Sequence, residues 1–287
     1  SLTEKLIKQV EKLNDSGSKD DDRFWKPVMG KGDTGSAVIR FLPAPEGCEL
    51  PWAQVWSHAF QGTGGWLIDE CLTTLGQNCP VCEKNRVLWN SGSDRDKEEA
   101  RKQKRKLSYY SNIYVVKDPA NPDNEGRVFL YKFGKKIFDK VMAAMQPEFD
   151  DEEPINPFDF WKGANFKLKL VKKDGYWNYD KSEFASPEPL MSDDDDLEAI
   201  YKSLNNLGDF TDPSKFKSYE DLKKRLDYVL GLKGTPKFQD PETVDEEEEV
   251  EVSRPVRESV SVRPSASNDD EEDGDDTLAY FARLAAE

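Results

Sequence analysis

The chain has 287 residues, about a third of them charged, with a net charge of −16 and a mean hydropathy of −0.81. It holds no apolar run of about 18 residues, which excludes a membrane-spanning helix, and no apolar N-terminal stretch reads as a secretory signal. Four cysteines and one histidine are too few for a disulfide scaffold at this length. The negative total hides two blocks. Residues 239–287 carry 17 acidic against 4 basic side chains, whereas residues 95–140 carry 13 basic against 7 acidic. A basic centre with an acidic tail leaves a nucleic-acid partner open and marks the tail as an interaction segment.

Residues 2–13 read as an amphipathic helix capped by Thr3, with Leu6, Ile7, Val10 and Leu13 on one face. It is too short to stand alone and needs a surface to pack on. Asn14–Asp22 is a polar linker. Strands follow. In 36–42 the residues Ala37, Ile39 and Phe41 alternate with Arg40 on the opposite face. Residues 109–116 and 127–133 are two more strands, with turn residues between them. Phe166, Leu168 and Leu170 alternate with Lys167 and Lys169, and Asp174-Gly175 is a hairpin turn into 176–179. Three helical stripes complete the body: Ile137, Phe138, Val141, Met142 and Met145 after Gly134; Leu197, Ile200, Tyr201 and Leu204; and Leu222, Leu226, Val229 and Leu230, capped by Ser218. Acidic runs then dominate, with too little apolar surface to offset chain entropy, so the tail is expected to be largely disordered. The last apolar patch, Leu278–Leu284, suits a short helix on a partner.

His58, Cys71, Cys79 and Cys82 form a metal-ligand pattern. The core, Cys79-Pro80-Val81-Cys82, aims two thiolates at one ion from a tight turn, and glycines between the other ligands let the chain fold back. Three thiolates and one imidazole leave no open position, so the expected ion is one structural Zn2+. A thioredoxin-type redox pair would need neither the third cysteine nor the histidine. Cys48 falls outside the spacing.

Lys104, Arg105 and Lys106 stand just before Tyr109 and Tyr110. Downstream come Tyr131, Lys132 and Lys135, then Tyr176, Trp177 and Tyr179. Cations that track phosphates, interleaved with rings on which bases stack, are what sequence-tolerant single-strand binding requires. Tyr109 and Tyr110 point to opposite faces of a strand. A zinc-stapled adaptor that binds protein partners and not DNA is the other reading. No phosphate loop, nucleophile elbow or spare histidine supports an enzyme.

Ala37–Pro43, the His58…Cys71…Cys79-Pro80-Val81-Cys82 cluster, Val115–Pro119, Asn124-Glu125-Gly126 and Phe133–Lys136 occur in this order in one family. From about residue 3 to residue 230 the chain resembles the single-stranded DNA-binding (helix-destabilising) proteins of T-even-type bacteriophages. The resemblance implies an α+β fold with an OB-type five-stranded β-barrel, a zinc-binding subdomain at about 55–100 and peripheral helices. It implies three regions: an arm (1–16) for cooperative self-association along the strand, a core (17–235) and an acidic interaction tail (236–287). It places zinc on His58, Cys71, Cys79 and Cys82, cleft rings on Tyr109, Tyr110, Tyr131, Tyr176 and Tyr179, and cations on Arg40, Arg105 and Lys132. The implied partners are single-stranded DNA and, through the tail, the polymerase, helicase loader, primase and recombinase of a phage in its host cytoplasm.

Overall fold

The computed structural model describes residues 21–30, 32–149, 152–173 and 176–232. The expected helix at 2–13, the turn at Asp174-Gly175 and the tail from 236 lie outside the described residues. The strands are β1 (Phe24–Trp25), β2 (Thr34–Phe41), β3 (Ala53–Gly62), β4 (Gly65–Glu70), β5 (Lys106–Lys117), β6 (Val128–Phe133), β7 (Ala164–Lys173), β8 (Tyr176–Asn178) and β9 (Glu183–Pro187). The α-helices are α1 (Pro80–Trp89), α2 (Asp94–Gln103), α3 (Lys135–Met145), α4 (Asp194–Lys202) and α5 (Tyr219–Val229). The mixed α+β class is as expected. Among the described residues nine strands pair in one sheet, in which the hairpin β3–β4 and the short strands β1, β8 and β9 join β2, β5, β6 and β7.

β5 is the spine. One edge pairs with β6 over Tyr109–Tyr114. The other edge is shared: its first half pairs with β3 through Lys106–Tyr110, its second half with β2 through Ile113–Lys117. β3 leads into the β4 hairpin, and β2 leads on to β7. A single strand thus joins a hairpin-and-helix lobe to the main sheet.

The main sheet buries the alternation read from the sequence. Phe166, Leu168 and Leu170 of β7 are buried, as are Ala37, Ile39 and Phe41 of β2. The Phe41 ring meets Phe133, Phe158, Phe166 and Phe184 at centroid separations of 5.5–6.4 Å. Tilted and edge-on pairs of this kind stabilise beyond their buried area by about 0.5–1.5 kcal/mol each.

The small lobe is assembled from distant pieces. Phe60, Leu67, Leu72 and Val81 pack against Leu222, Leu226 and Val229 of α5. The Ser218 hydroxyl caps α5 by accepting from the Asp221 N–H. The β3–β4 turn closes directly on the end of that helix: Gly64 N–H donates to Val229 O at 2.8 Å, and a Cβ on Gly64 would lie 2.2 Å from Tyr228 O. Only glycine allows this approach. Asp69 of β4 forms ion pairs with Lys217 and with Arg225 of α5, the latter at 2.8 Å.

Candidate metal centre and nucleic-acid interface

Three parts of the chain supply the His/Cys cluster. His58 stands on β3, Cys71 follows β4, Cys79 caps α1 and Cys82 lies in its first turn. Pro80 suits this cap because the first helical position needs no N–H donor. The four ligand atoms lie within 4.8 Å of one another, and His58, Cys71 and Cys79 are buried. Cys71 Sγ is 3.5 Å from Cys82 Sγ, and His58 Nε2 is 3.5 Å from Cys79 Sγ and 3.6 Å from Cys82 Sγ. A tetrahedral ion with Zn–S bonds of about 2.3 Å holds its sulfurs roughly 3.8 Å apart, so this donor set fits. His58 Nδ1 lies 3.2 Å from Gln103 O. Its proton belongs on that side, which turns the Nε2 lone pair toward the cluster.

The three thiols perturb one another. Contacts from Cys79 first and Cys82 next pull the Cys71 thiol well below its usual range, to about 3. Cys82 is pushed upward by Cys71 and then Cys79. A cation that binds all three would displace those protons. Cys48 stands apart, with Sγ 3.5 Å from Asn206 Oδ1.

The basic run begins where α2 ends. Lys104 and Lys106 are exposed, while Arg105 is half-buried and lies over the Trp56 ring, its Cζ 4.1 Å from the centroid. Arg105 Nη1 donates to Thr73 Oγ1 at 2.8 Å. Lys132 lies over Tyr110 at 5.5 Å. Tyr176 is 79% exposed, Trp177 is exposed and Tyr179 is half-buried. Burial raises the Tyr179 phenol. Lys136, Lys140 and Lys173 surround neighbouring Asp180, whose carboxyl is held below its usual range first by Asn178 and then by these cations. Lys140 Nζ also donates to Asp180 O at 3.1 Å. Lys135 is exposed and paired with Asp139.

Four expected contacts sit elsewhere. Tyr109, Tyr110 and Tyr131 are only 3%, 7% and 2% exposed. Tyr109 stacks on Phe138 at 3.9 Å, Tyr110 on Phe210 at 4.2 Å, and Tyr131 meets Trp25 at 5.2 Å. Burial pushes the Tyr109 phenol up to about 12 and Tyr131 well above its usual value. Arg40 is a clear correction. Its guanidinium is fully buried and donates to Asn165 Oδ1, Asp159 O and Glu188 O at 3.0, 3.2 and 2.6 Å. Desolvation lowers its pKa, and these acceptors hold the charge in place. It ties β2 to the segments before and after β7 and has no open side for a phosphate.

Trp56, Thr73, Lys140 and Lys173 were not singled out by sequence. Trp56 lies two positions before His58 on β3, yet nothing local announces that a cation 49 positions later covers its ring.

The family model described as gp32 DNA binding protein like matches residues 33–230. The chain is 38% identical over 236 residues to the single-stranded DNA-binding protein of Enterobacteria phage T4, covering 80% of this chain and 78% of that protein. It is 38% identical over 237 residues to the protein of the same name from Enterobacteria phage T2, with the same coverage. A shorter relative of that name, from Enterobacteria phage RB70, is 36% identical over 113 residues, which is 38% of this chain and 95% of the relative.

Proposed function

The chain belongs to the gp32 DNA-binding-protein-like family, and from that premise we propose that it coats single-stranded DNA without catalysis and with little sequence preference. The observation that carries this reading is the pair of cation–ring contacts, Arg105 over Trp56 and Lys132 over Tyr110, on a chain 38% identical to phage single-stranded DNA-binding proteins. Lys104, Arg105, Lys106, Lys132 and Lys135 track the phosphates. Tyr176 and Tyr179 stack on bases. Tyr109 and Tyr131 pack on one face of the sheet and Tyr110 on the other, bracing an OB-type core to which β2, β5, β6 and β7 contribute. Binding only unpaired strands melts hairpins by mass action, which suits phage DNA replication, recombination and repair in the host cytoplasm. The arm (1–16) joins neighbouring copies along the strand. The tail (236–287) recruits replication and recombination proteins and competes with DNA for the cations.

His58, Cys71, Cys79 and Cys82 hold one structural Zn2+, which supplies a closed tetrahedral clamp and no reactive position. His58 is oriented for it by Gln103 O.

The test is a tryptophan and tyrosine fluorescence titration with oligo-dT and with duplex DNA at two salt concentrations. Quenching by oligo-dT alone is expected, with log K falling by about 0.7 per phosphate for each unit of log salt. No quenching would overturn DNA coating in favour of a protein adaptor. Removing residues 240–287 should raise affinity at low salt, and unchanged affinity would refute competition by the tail.

A further inference from the structure

The basic run 102–106 is fastened to the metal cluster at two points, two residues apart. Gln103 O receives the His58 Nδ1 proton. Arg105 reaches the cluster through one hydroxyl: its Nη1 donates to Thr73 Oγ1 at 2.8 Å, and Thr73 Oγ1 lies 3.1 Å from Cys71 Sγ. Arginine only donates, so the single Thr73 proton is left for the sulfur. The next residue of the same turn secures the ring beneath Arg105. Trp56 N–H donates to Thr74 Oγ1 at 2.9 Å, and Trp56 O accepts from Cys71 N–H at 2.8 Å. The guanidinium is thus stacked on Trp56 and held at one terminal nitrogen, with the side chain half-exposed.

We propose that Thr73 is a positioning residue for the DNA interface: its hydroxyl couples the metal ligand Cys71 to Arg105, so an occupied metal site orients the guanidinium for a backbone phosphate. The chemistry sets the direction. A metal-bound thiolate accepts and does not donate, so it takes the Thr73 proton and directs the oxygen lone pairs toward Arg105. Without the ion no bond fixes the Cys71 sulfur in place, and the Thr73 hydroxyl loses the anchor that sets its orientation. A pre-oriented, stacked arginine gives up less freedom on meeting a phosphate.

This inference rests on the single-strand-binding and metal-binding reading above. The test loads full-length wild type, Thr73→Val and Thr73→Ser with Co2+ and compares thiolate-to-cobalt absorption and oligo-dT titrations at several salt concentrations. Thr73→Val should bind one Co2+ with a displaced charge-transfer band, because one thiolate loses a hydrogen bond. Its oligo-dT affinity should fall about threefold to tenfold, with a salt slope shallower by about 0.7, one phosphate contact. Thr73→Ser should restore both. A displaced band with wild-type affinity and slope overturns the proposal, as does a serine variant as weak as the valine one. Should Thr73→Val lose the metal, Arg105→Gln decides, since it leaves the cluster and Thr73 intact. With Co2+ bound, its charge-transfer band should be displaced, because Thr73 loses the donor that orients its hydroxyl toward Cys71, and an unmoved band overturns the coupling. Failure of wild type to bind oligo-dT at all would instead refute the parent reading.

Discussion

The two lobes that meet along β5 are held by different chemistry. The main sheet surrounds Phe41 with four phenylalanine rings and draws its alternation from β2 and β7. The small lobe has a modest apolar cluster, completed only by α5 from far along the chain, and joins four ligand atoms in its interior. A sheet that buries many rings needs no further restraint. A hairpin with two short helices buries less, and the metal proposed for its His/Cys cluster would act there as a staple. Stability in the first region is spread over many contacts, whereas in the second that ion would concentrate it at one removable point.

The largest effect should come from breaking that staple. Cys79→Ser, or metal removal by a chelator, should lower the melting temperature and strip hydrogen-exchange protection from β3, β4, α1 and α5 while β2 and β7 keep theirs. Structural zinc contributes on the order of 10 kcal/mol in small domains. Equal loss in both regions would mean that the lobes unfold as one unit.

Arg40→Met attacks the other side. It takes the Arg40 donor from Glu188 O and Asn165 Oδ1 and leaves Asp159 O only its bond from Gly163 N–H, and it should cost about 3 kcal/mol in denaturant unfolding. Because Arg40 is buried, the salt slope of DNA binding should not move; a shallower slope would return Arg40 to the interface. Gly64→Ala forces a Cβ against Tyr228 O and should cost about 2 kcal/mol, read as selective loss of exchange protection in β3, β4 and α5. Ser218→Ala removes the α5 cap and should cost about 1 kcal/mol, seen in the same amides.

The mildest probe is alkaline titration. Tyr109 and Tyr131 have phenols raised by burial, so their folded pKa values exceed the unfolded value of about 10. Stability is unaffected below that pH and falls as pH rises above it, since the unfolded chain loses these protons first. Tyrosinate absorbance should show these two rings titrating late, together with unfolding. Early, reversible ionisation of both would place them at the surface.

Much of this was legible in the sequence. The alternation of β7, the Ser218 cap and the Cys79-Pro80-Val81-Cys82 turn are local signals, and each appears where expected. α2 was not legible. Its sequence, DRDKEEARKQ, carries no apolar stripe and buries only Ala100 and Gln103; its role is to place Gln103 O against His58. β3 and β4 escaped notice because the metal spacing and glycines dominate that stretch.

The ligand set, the basic block and the strand periodicity were determined by residue order alone, because each is a matter of chemistry within a few positions. Which faces are covered was decided only by tertiary structure. Alternation separates Tyr109 from Tyr110 but does not say that both sides of β5 are roofed. Phe138 from α3 closes one and Phe210, a hundred positions on, closes the other. Arg40 likewise reads as a surface cation until the carbonyls of Asp159 and Glu188 arrive from beyond β6 to enclose it. Burial depends on what the rest of the chain brings alongside, and a single strand does not carry that information.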